Sequence, residues 1–405
     1  MQWLNRAMLR LHTENTLDRE EKIMSEWLKT SLIDIVELIG GGTPKTSKAE
    51  YWGGNINWLS VKDFNNENRY VYSTEKTITE EGLNNSSTKL LRKDDIIISA
   101  RGTVGELAMI PFPMAFNQSC YGIRAKEGID STFLYYLIKH SVRKLKAMTH
   151  GSVFDTITRD TFANIDVAIP DIEMQQRVAK MLANIDDKVE NNQRINNNLE
   201  QQAQAIFKSW FIDLEPFSNR KPSDWSVSTL GNVSIMGAGG DKPQNVSQIK
   251  TDLYKYPIYS NGLSNEGLYG FTDKPKISEE SVTVSARGTI GFVCLRHIPY
   301  VPIVRLVTLT PKTEIISAKY LYLWLKQLHI TGTGTTQQQL TVPYFQKTEI
   351  LVPSQEIVTL FTTTVDPIFE KIWANQNENE KLSSLRDTLL PKLMSGELDV
   401  SGIDL

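Results

Sequence analysis

A chain of 405 residues with 40 % hydrophobic content is long enough for two or more domains, each with its own core, and nothing in its composition argues for disorder. A formal charge of −3 and a pI near 6.1 exclude indiscriminate binding to nucleic acid through a strongly basic surface, but not local basic loops or basic partner subunits. Cys120 and Cys294 are too few and too far apart for a disulfide framework or a thiolate metal site, which fits a reducing cytoplasm, and no apolar run is long enough to predict a membrane span.

Residues 1–23 precede a second methionine, Met24, and read equally as an extension ahead of the start or as a short helix. Residues 27–38 predict a short strand or helix entering a first block, 24–170, and stop at Gly40-Gly41-Gly42-Thr43-Pro44-Lys45. The bare amides of such a run can face a phosphate, with Lys45 adding charge, or can make an ordinary turn. The run lacks the Gly-Lys-Ser/Thr ending of a nucleotide-binding loop, so no nucleotide is expected there. Residues 56–64 alternate apolar and polar side chains, as a half-buried strand does. Residues 95–99 predict a buried strand, returned by residues 104–110 as a hairpin with Arg101 at or beside its tip. The planar fork of an arginine there suits a phosphate or the O6 and N7 edge of guanine, and a structural salt bridge accounts for it equally. Residues 131–145 have helical spacing and a basic end, Lys139, Arg143, Lys144 and Lys146, whose commoner explanation is a solvated face. His150-Gly151-Ser152 precedes a last strand, 165–169, and Asp171 is placed to cap a helix.

That helix opens a helical spacer, 171–217. Val178, Leu182, Ile185, Val189, Asn192, Ile195, Leu199, Gln202 and Ile206 recur at steps of three or four, a coiled-coil-like seam that needs a partner helix. An offset of 183 carries these positions to Phe361, Val365, Ile368, Ile372, Asn375, Glu378, Leu382, Leu385 and Leu389, so the partner lies in the same chain. Upstream, Ser99-Ala100-Arg101-Gly102-Thr103-Val104-Gly105 returns as Ser285-Ala286-Arg287-Gly288-Thr289-Ile290-Gly291, with six of seven residues identical. The chain is therefore an internal duplication, block then helix, twice. The second block, 218–353, has Gly237-Ala238-Gly239-Gly240-Asp241-Lys242-Pro243 in place of the first glycine loop, then a Tyr- and Asn-rich stretch, 254–270, a helix over 317–328 and the polar run 332–338. The closing helical spacer is 354–405, with a kink or fresh start expected at Asp366-Pro367.

The tools of catalysis are missing. There is no Asn/Asp-Pro-Pro-aromatic tetrapeptide for amino-group methylation, no metal-ligand cluster among five scattered histidines and no Gly-x-Ser-x-Gly elbow. Pro170-Asp171 with Asp186-x-Lys188 matches a nuclease pattern superficially, but on the expected polar side of a helix already explained. The reading is non-catalytic.

The central run IDDKVENNQRINNNLEQQAQAIFKSWFIDLEPF, the C-terminal LRDTLLPKLMSGELDV, the opening GGGTPKT and the paired SARGT-hydrophobic-G segments resemble the specificity subunit of a Type I restriction-modification system, over essentially residues 24–405. The resemblance implies an α+β fold, two α/β target-recognition domains separated by two long antiparallel coiled-coil helices. It implies that each domain reads one half of a bipartite site in double-stranded DNA, that the helices set the spacer, and that they dock two methyltransferase (modification) subunits, with motor-nuclease (restriction) subunits completing a cytoplasmic complex. No cofactor or metal is expected on this chain; S-adenosylmethionine belongs on the methyltransferase subunits. DNA contacts carried onto this sequence are Gly41, Thr43, Lys45, Trp58, Ser60, Lys62, Ser99, Arg101, Thr103 and Ser152 in the first domain. In the second they are Gly240, Lys242, Tyr259, Asn261, Ser285, Arg287, Thr289, Thr335 and Gln337. The competing reading is a paired-domain scaffold that binds protein, which the net acidity favours.

Overall fold

The computed structural model describes residues 27–66, 68–148, 156–332 and 338–400. The expectations for residues 1–23 and for Ser152, Thr335 and Gln337 lie outside them. The chain divides into two compact units, Met1–Gln193 with Gln376–Leu405, and Arg194–Asn375. Each holds one globular block and one half of each of two 40-residue helices, Ile172–Phe211 and Gln355–Met394.

In the first unit, an antiparallel sheet runs in the order Val36–Gly40, Cys120–Ala125, Ile96–Ser99, Leu107–Met109. Its centre, Ile96 to Ile98, is fully buried, the continuous apolar run expected of a strand covered on both faces. The expected hairpin is the pairing of Ile96 with Met109 and Ile98 with Leu107. A second sheet orders Lys76–Ile78, Trp52–Leu59, Met114–Phe116 and Leu90–Leu91, its middle pair parallel. A two-stranded ribbon joins Leu28–Ser31 to Asp166–Ile169, and the helix Ser131–Met148 covers the first sheet. The half-buried strand expected over 56–64 stops at Leu59 instead. Ser60 N–H donates to Asp63 Oδ2 at 2.7 Å, a capping arrangement that turns Val61–Phe64 into a helical turn.

The second unit repeats this plan. Ser234–Ala238, Val307–Pro311, Ser281–Val284 and Val293–Arg296 form the antiparallel sheet; Leu268–Thr272, Tyr256–Tyr259 and Val301–Pro302 form the mixed one. Ser226–Thr229 pairs with Glu349–Val352, and Ala318–Gln327 is the covering helix, capped by Ser317 accepting from Tyr320 N–H at 3.2 Å.

Asp171 caps the first long helix by accepting from Met174 N–H at 2.9 Å. Within the first unit the two helices are antiparallel: Asp186 meets Arg386, and Asn192 meets Asn379. Val178, Leu182 and Ile185 pack in one core with Leu389, Leu390 and Leu393. In the second unit the seam departs from the expected line. Ile195 is 36 % exposed and Gln202 bonds to Asn198 at the surface, whereas Ala203, Phe207 and Phe211 are buried among Tyr320 and Phe361. Steps of four place these larger rings inward, and each buries enough apolar area to contribute roughly 2–3 kcal/mol. The helix also runs through Pro367 without the fresh start that was one of the two expectations there. Val365 and Phe369 are buried on either side of the exposed proline, and that packing outweighs the ~3 kcal/mol intrinsic cost of an interior proline. Asp186 also corrects an expectation. It is 5 % exposed, not on a polar face, and accepts from Tyr136 Oη at 2.7 Å and Arg386 at 2.9 Å.

Candidate nucleic-acid interface

The two SARGT segments fold into the same arch. Ser99 accepts from Gly105 N–H through its carbonyl at 2.9 Å and from Glu106 N–H through Oγ at 2.8 Å; Ser285 O accepts from Gly291 N–H at 3.0 Å. Gly102 and Gly105 in one arch, Gly288 and Gly291 in the other, have φ between +69° and +85°, which is why glycine recurs at both places. Each arch is tied at its alanine carbonyl to a later loop segment: Ile157 N–H donates to Ala100 O, and Leu340 N–H to Ala286 O, both at 3.0 Å. The result is an exposed arginine on a rigid arch in each unit, Arg101 and Arg287. Arg287 donates to Gln339 Oε1 at 2.9 Å, a neutral partner that leaves its charge uncompensated. Ser99 and Ser285 themselves are buried and present no side chain to solvent. Thr103 is exposed on the first arch and Thr289 half-buried on the second.

The first glycine loop is not an open cradle for an anion. Gly42 N–H is taken by Phe116 O at 2.9 Å, and a Cβ at Gly41 would lie 2.1 Å from Asn117 O. These glycines permit backbone to pack on backbone, and Thr43 is bonded to Gln118. Trp58 is 7 % exposed and donates from Nε1 to Gly42 O at 3.0 Å, so it fastens the loop and is not free to stack on a base. Ser60 is occupied with Asp63, while Lys45 and Lys62 are exposed. In the second unit Gly239 fills the packed role against the Ile303 backbone, and Gly240 and Lys242 are exposed.

Sequence reasoning missed Arg296. It is 3 % exposed and bonds Thr283 Oγ1 at 3.0 Å, Glu266 Oε2 at 2.8 Å and Glu266 O at 2.7 Å, with its guanidinium 3.6 Å from the Tyr259 ring centroid. Tyr259 is therefore a half-buried lid on an internal cation, and burial raises its hydroxyl pKa above the ordinary value. Asn261 is a brace: Nδ2 donates to Val304 O and Oδ1 accepts from Ala286 N–H, both at 2.7 Å. The loop segments 117–119 and 303–306 were also missed, the first because it is so short and the second because it is apolar but for one arginine.

The arches, the glycine loops and the loops 117–119 and 303–306 thus converge within each unit. Their exposed residues include the cations Lys45, Arg101, Lys242, Arg287 and Arg305 and one acid, Asp241, and Lys62 is exposed on the helical turn Val61–Phe64. Such a set can bind phosphates and base edges. Among the described residues no three His, Cys, Asp or Glu side chains could hold a metal ion, and burial pushes the Cys120 and Cys294 thiols up to about 12. No helix among the described residues is long and apolar enough to cross a membrane.

The family model described as Type I restriction modification DNA specificity domain matches residues 24–201 and 222–383. The Type I restriction enzyme MjaIX specificity subunit of Methanocaldococcus jannaschii is 31 % identical over 413 residues, covering 94 % of this chain and 95 % of that protein. The Type I restriction enzyme HindI specificity subunit of Haemophilus influenzae is 27 % identical, covering 63 % of this chain and 74 % of that protein. Among solved structures, the S subunit of a Type I restriction-modification system from M. genitalium superposes with a TM-score of 0.53 at 18 % identity, covering 91 % of this chain and 96 % of that one, a likeness of fold.

Proposed function

The chain belongs to the family of Type I restriction-modification DNA specificity subunits, and we propose that each of its two globular blocks reads one half of a bipartite site in double-stranded DNA. The observation that carries this reading is the repeated arch, which exposes one arginine, Arg101 or Arg287, beside loops that differ between the units. Identical arches suit what both half-sites share, the phosphate backbone; unlike loops suit what distinguishes them. Contacts are assigned to the exposed residues Lys45, Lys62, Arg101, Thr103, Gly240, Lys242 and Arg287. Ser99, Ser285, Trp58 and Ser60 are supports.

The two long helices set the spacer and dock two methyltransferase subunits, which carry S-adenosylmethionine, and the restriction subunits join them. The chain itself supplies specificity and no catalysis. A 40-residue helix is about 60 Å long, ample for spanning half-sites one DNA turn of about 34 Å apart. Because Asn196 bonds Ile372 O and Asn375 across the seam, a spacer change requires matched insertions in both helices. Four residues added after Asn196 and four at the facing position near Asn375 lengthen each helix by about 6 Å. Adenine-methylation mapping in cells carrying the methyltransferase subunits then reads a spacer longer by roughly two base pairs, with both half-sequences retained. An unchanged spacer defeats the ruler; loss of no motif on deleting the gene defeats the assignment to DNA.

A further inference from the structure

Near the arch, the loop 303–306 is built differently from its counterpart in the first unit. There the backbone closes the gap: Ala100 N–H donates to Ser119 O at 2.8 Å, and Asn117 N–H to Leu59 O at 3.0 Å. In the second unit, Ile303 N–H keeps the matching bond to Tyr259 O at 2.9 Å, but Ala286 N–H is satisfied by the Asn261 side chain instead. The following loop is thereby released from the arch. Val304 and Arg305 enter the left-handed region, φ 51° and 60°, a conformation costly for any residue with a Cβ and most costly for a β-branched one. Three hydrogen bonds hold them there: Val304 N–H to Gly240 O at 2.9 Å, Arg305 N–H to Gly239 O at 2.8 Å, and Asn261 Nδ2 to Val304 O at 2.7 Å. Two consecutive strained residues kept by three bonds, in a loop with an exposed arginine, mark a conformation maintained for the side chain it presents. No hydrogen bond or ion pair of the Arg305 side chain occurs among the described residues.

Resting on the reading that the second unit contacts DNA, we infer that Arg305 is a specificity-determining residue for the half-site that unit reads, contacting a base edge, and that Asn261 is its positioning residue. The choice of base over phosphate follows from the contrast between the units. Arg101 and Arg287 stand on identical arches and serve a feature common to both half-sites, whereas the strained Arg305 loop belongs to the second unit alone among the described residues. The chemistry is that of a guanidinium fork donating two parallel bonds, which fits the O6 and N7 acceptors of guanine. Sequence reading had no means of finding it, because Val301 to Thr310 reads as an apolar strand with one arginine in it.

The experiment uses the complete complex of this chain with its methyltransferase subunits, comparing wild type, R305A, N261A and R287A by adenine-methylation mapping and by binding to the mapped duplex at several salt concentrations. R305A is expected to relax a single position of one half-site by roughly 5- to 150-fold, leaving the other half-site unchanged. N261A is expected to relax that same position, a coincidence that a merely structural role would not produce. R287A is expected to weaken all sequences alike and to lower the salt slope by about 1. If R305A weakens all sequences alike with a lower salt slope, Arg305 is a phosphate contact and the inference fails. It fails equally if R305A leaves every position intact. If the wild-type complex modifies no bipartite motif, the DNA reading itself falls and the inference with it. R305K, which keeps the charge and loses the fork, is expected to behave as R305A at the relaxed position and as wild type in salt slope.

Discussion

The two units solve one packing problem by opposite means. In the first, Asp186 and Arg386 form a buried ion pair at 2.9 Å, with Tyr136 Oη donating to Asp186 at 2.7 Å. The offset of 183 places Phe369 where Asp186 stands and Ala203 where Arg386 stands, and both are buried in the second unit. Tyr322, the counterpart of Tyr136, meets the Phe369 ring edge-on at 6.0 Å and sends its hydroxyl to Glu200 at 2.6 Å. One seam position therefore carries a charged pair or an aromatic and a methyl group. The helix seam specifies volume and direction, while polarity is chosen locally by what each unit supplies to satisfy it.

Breaking either solution should have the largest effect. D186A removes the buried carboxylate that pairs with the Arg386 guanidinium, and F369D places a carboxylate in an apolar, aromatic cluster; each is expected to cost about 3–5 kcal/mol in urea unfolding. A loss below about 1 kcal/mol for D186A would mean that the pair contributes nothing beyond its own desolvation.

Smaller effects are expected at the polar centre of the seam, where the units agree. Asn192 bonds Asn379 and Asn375 bonds Asn196, both at 2.8 Å, and the offset exchanges one bond for the other. N375A is expected to cost about 1 kcal/mol and N192A about twice that, because Asn192 also donates to Glu378 at 2.8 Å. Equal losses would show that the Glu378 bond is idle.

Titration separates the units more gently. Burial raises the Glu200 carboxyl, but Tyr322 and Lys326 more than offset it and hold it below the ordinary value of 4.5. A depressed carboxyl contributes stability above its unfolded pKa and loses it as pH falls through the folded one, so Glu200 stabilises the second unit at neutral pH and stops doing so in acid. In the first unit burial raises Glu190 above 4.5 despite Arg69, which has the opposite sign: its contribution is unfavourable at neutral pH and relieved in acid. E200Q is expected to flatten the acid limb of the stability profile, and E190Q to abolish the relief that acid brings to the wild-type chain. Identical profiles for E200Q and wild type between pH 5 and 3, a window of about the carboxylate range, would remove Glu200 from the account.

The exchange D186F/R386A/Y136F should change stability least. It installs the second unit's apolar solution in the first and removes the hydroxyl that would lose its acceptor; a stability within about 1 kcal/mol of wild type, or above it, is expected in urea unfolding. A large loss would show that the surrounding core, and not the pair alone, is fitted to the charges.

Much of this was present in the linear chain. The duplication was readable because two copies of one arch demand the same glycines at positive φ, and the long helices because their apolar steps persist over many turns. The helix cap expected at Asp171 is present. The site was less readable. An exposed polar residue and a buried one draw on the same residue types, so sequence could not separate them: Ser99 and Trp58 are buried, whereas Arg101 and Lys62 are exposed. The strained pair Val304 and Arg305 carries no signal, since αL conformation imposed by distant hydrogen bonds leaves no mark on local residue choice.

The repeat and the pair of long helices were settled by the amino-acid sequence alone, since each is a matter of periodicity or of recurring residue types. It took the folded chain to decide which face of the first long helix turned inward beyond Leu199, whether Asp186 lay in water or beside Arg386, and which polar residues reached solvent. Those outcomes depend on volumes and hydrogen-bond partners brought together from 200 residues away, as Asp186 and Arg386 are, and no local pattern encodes them.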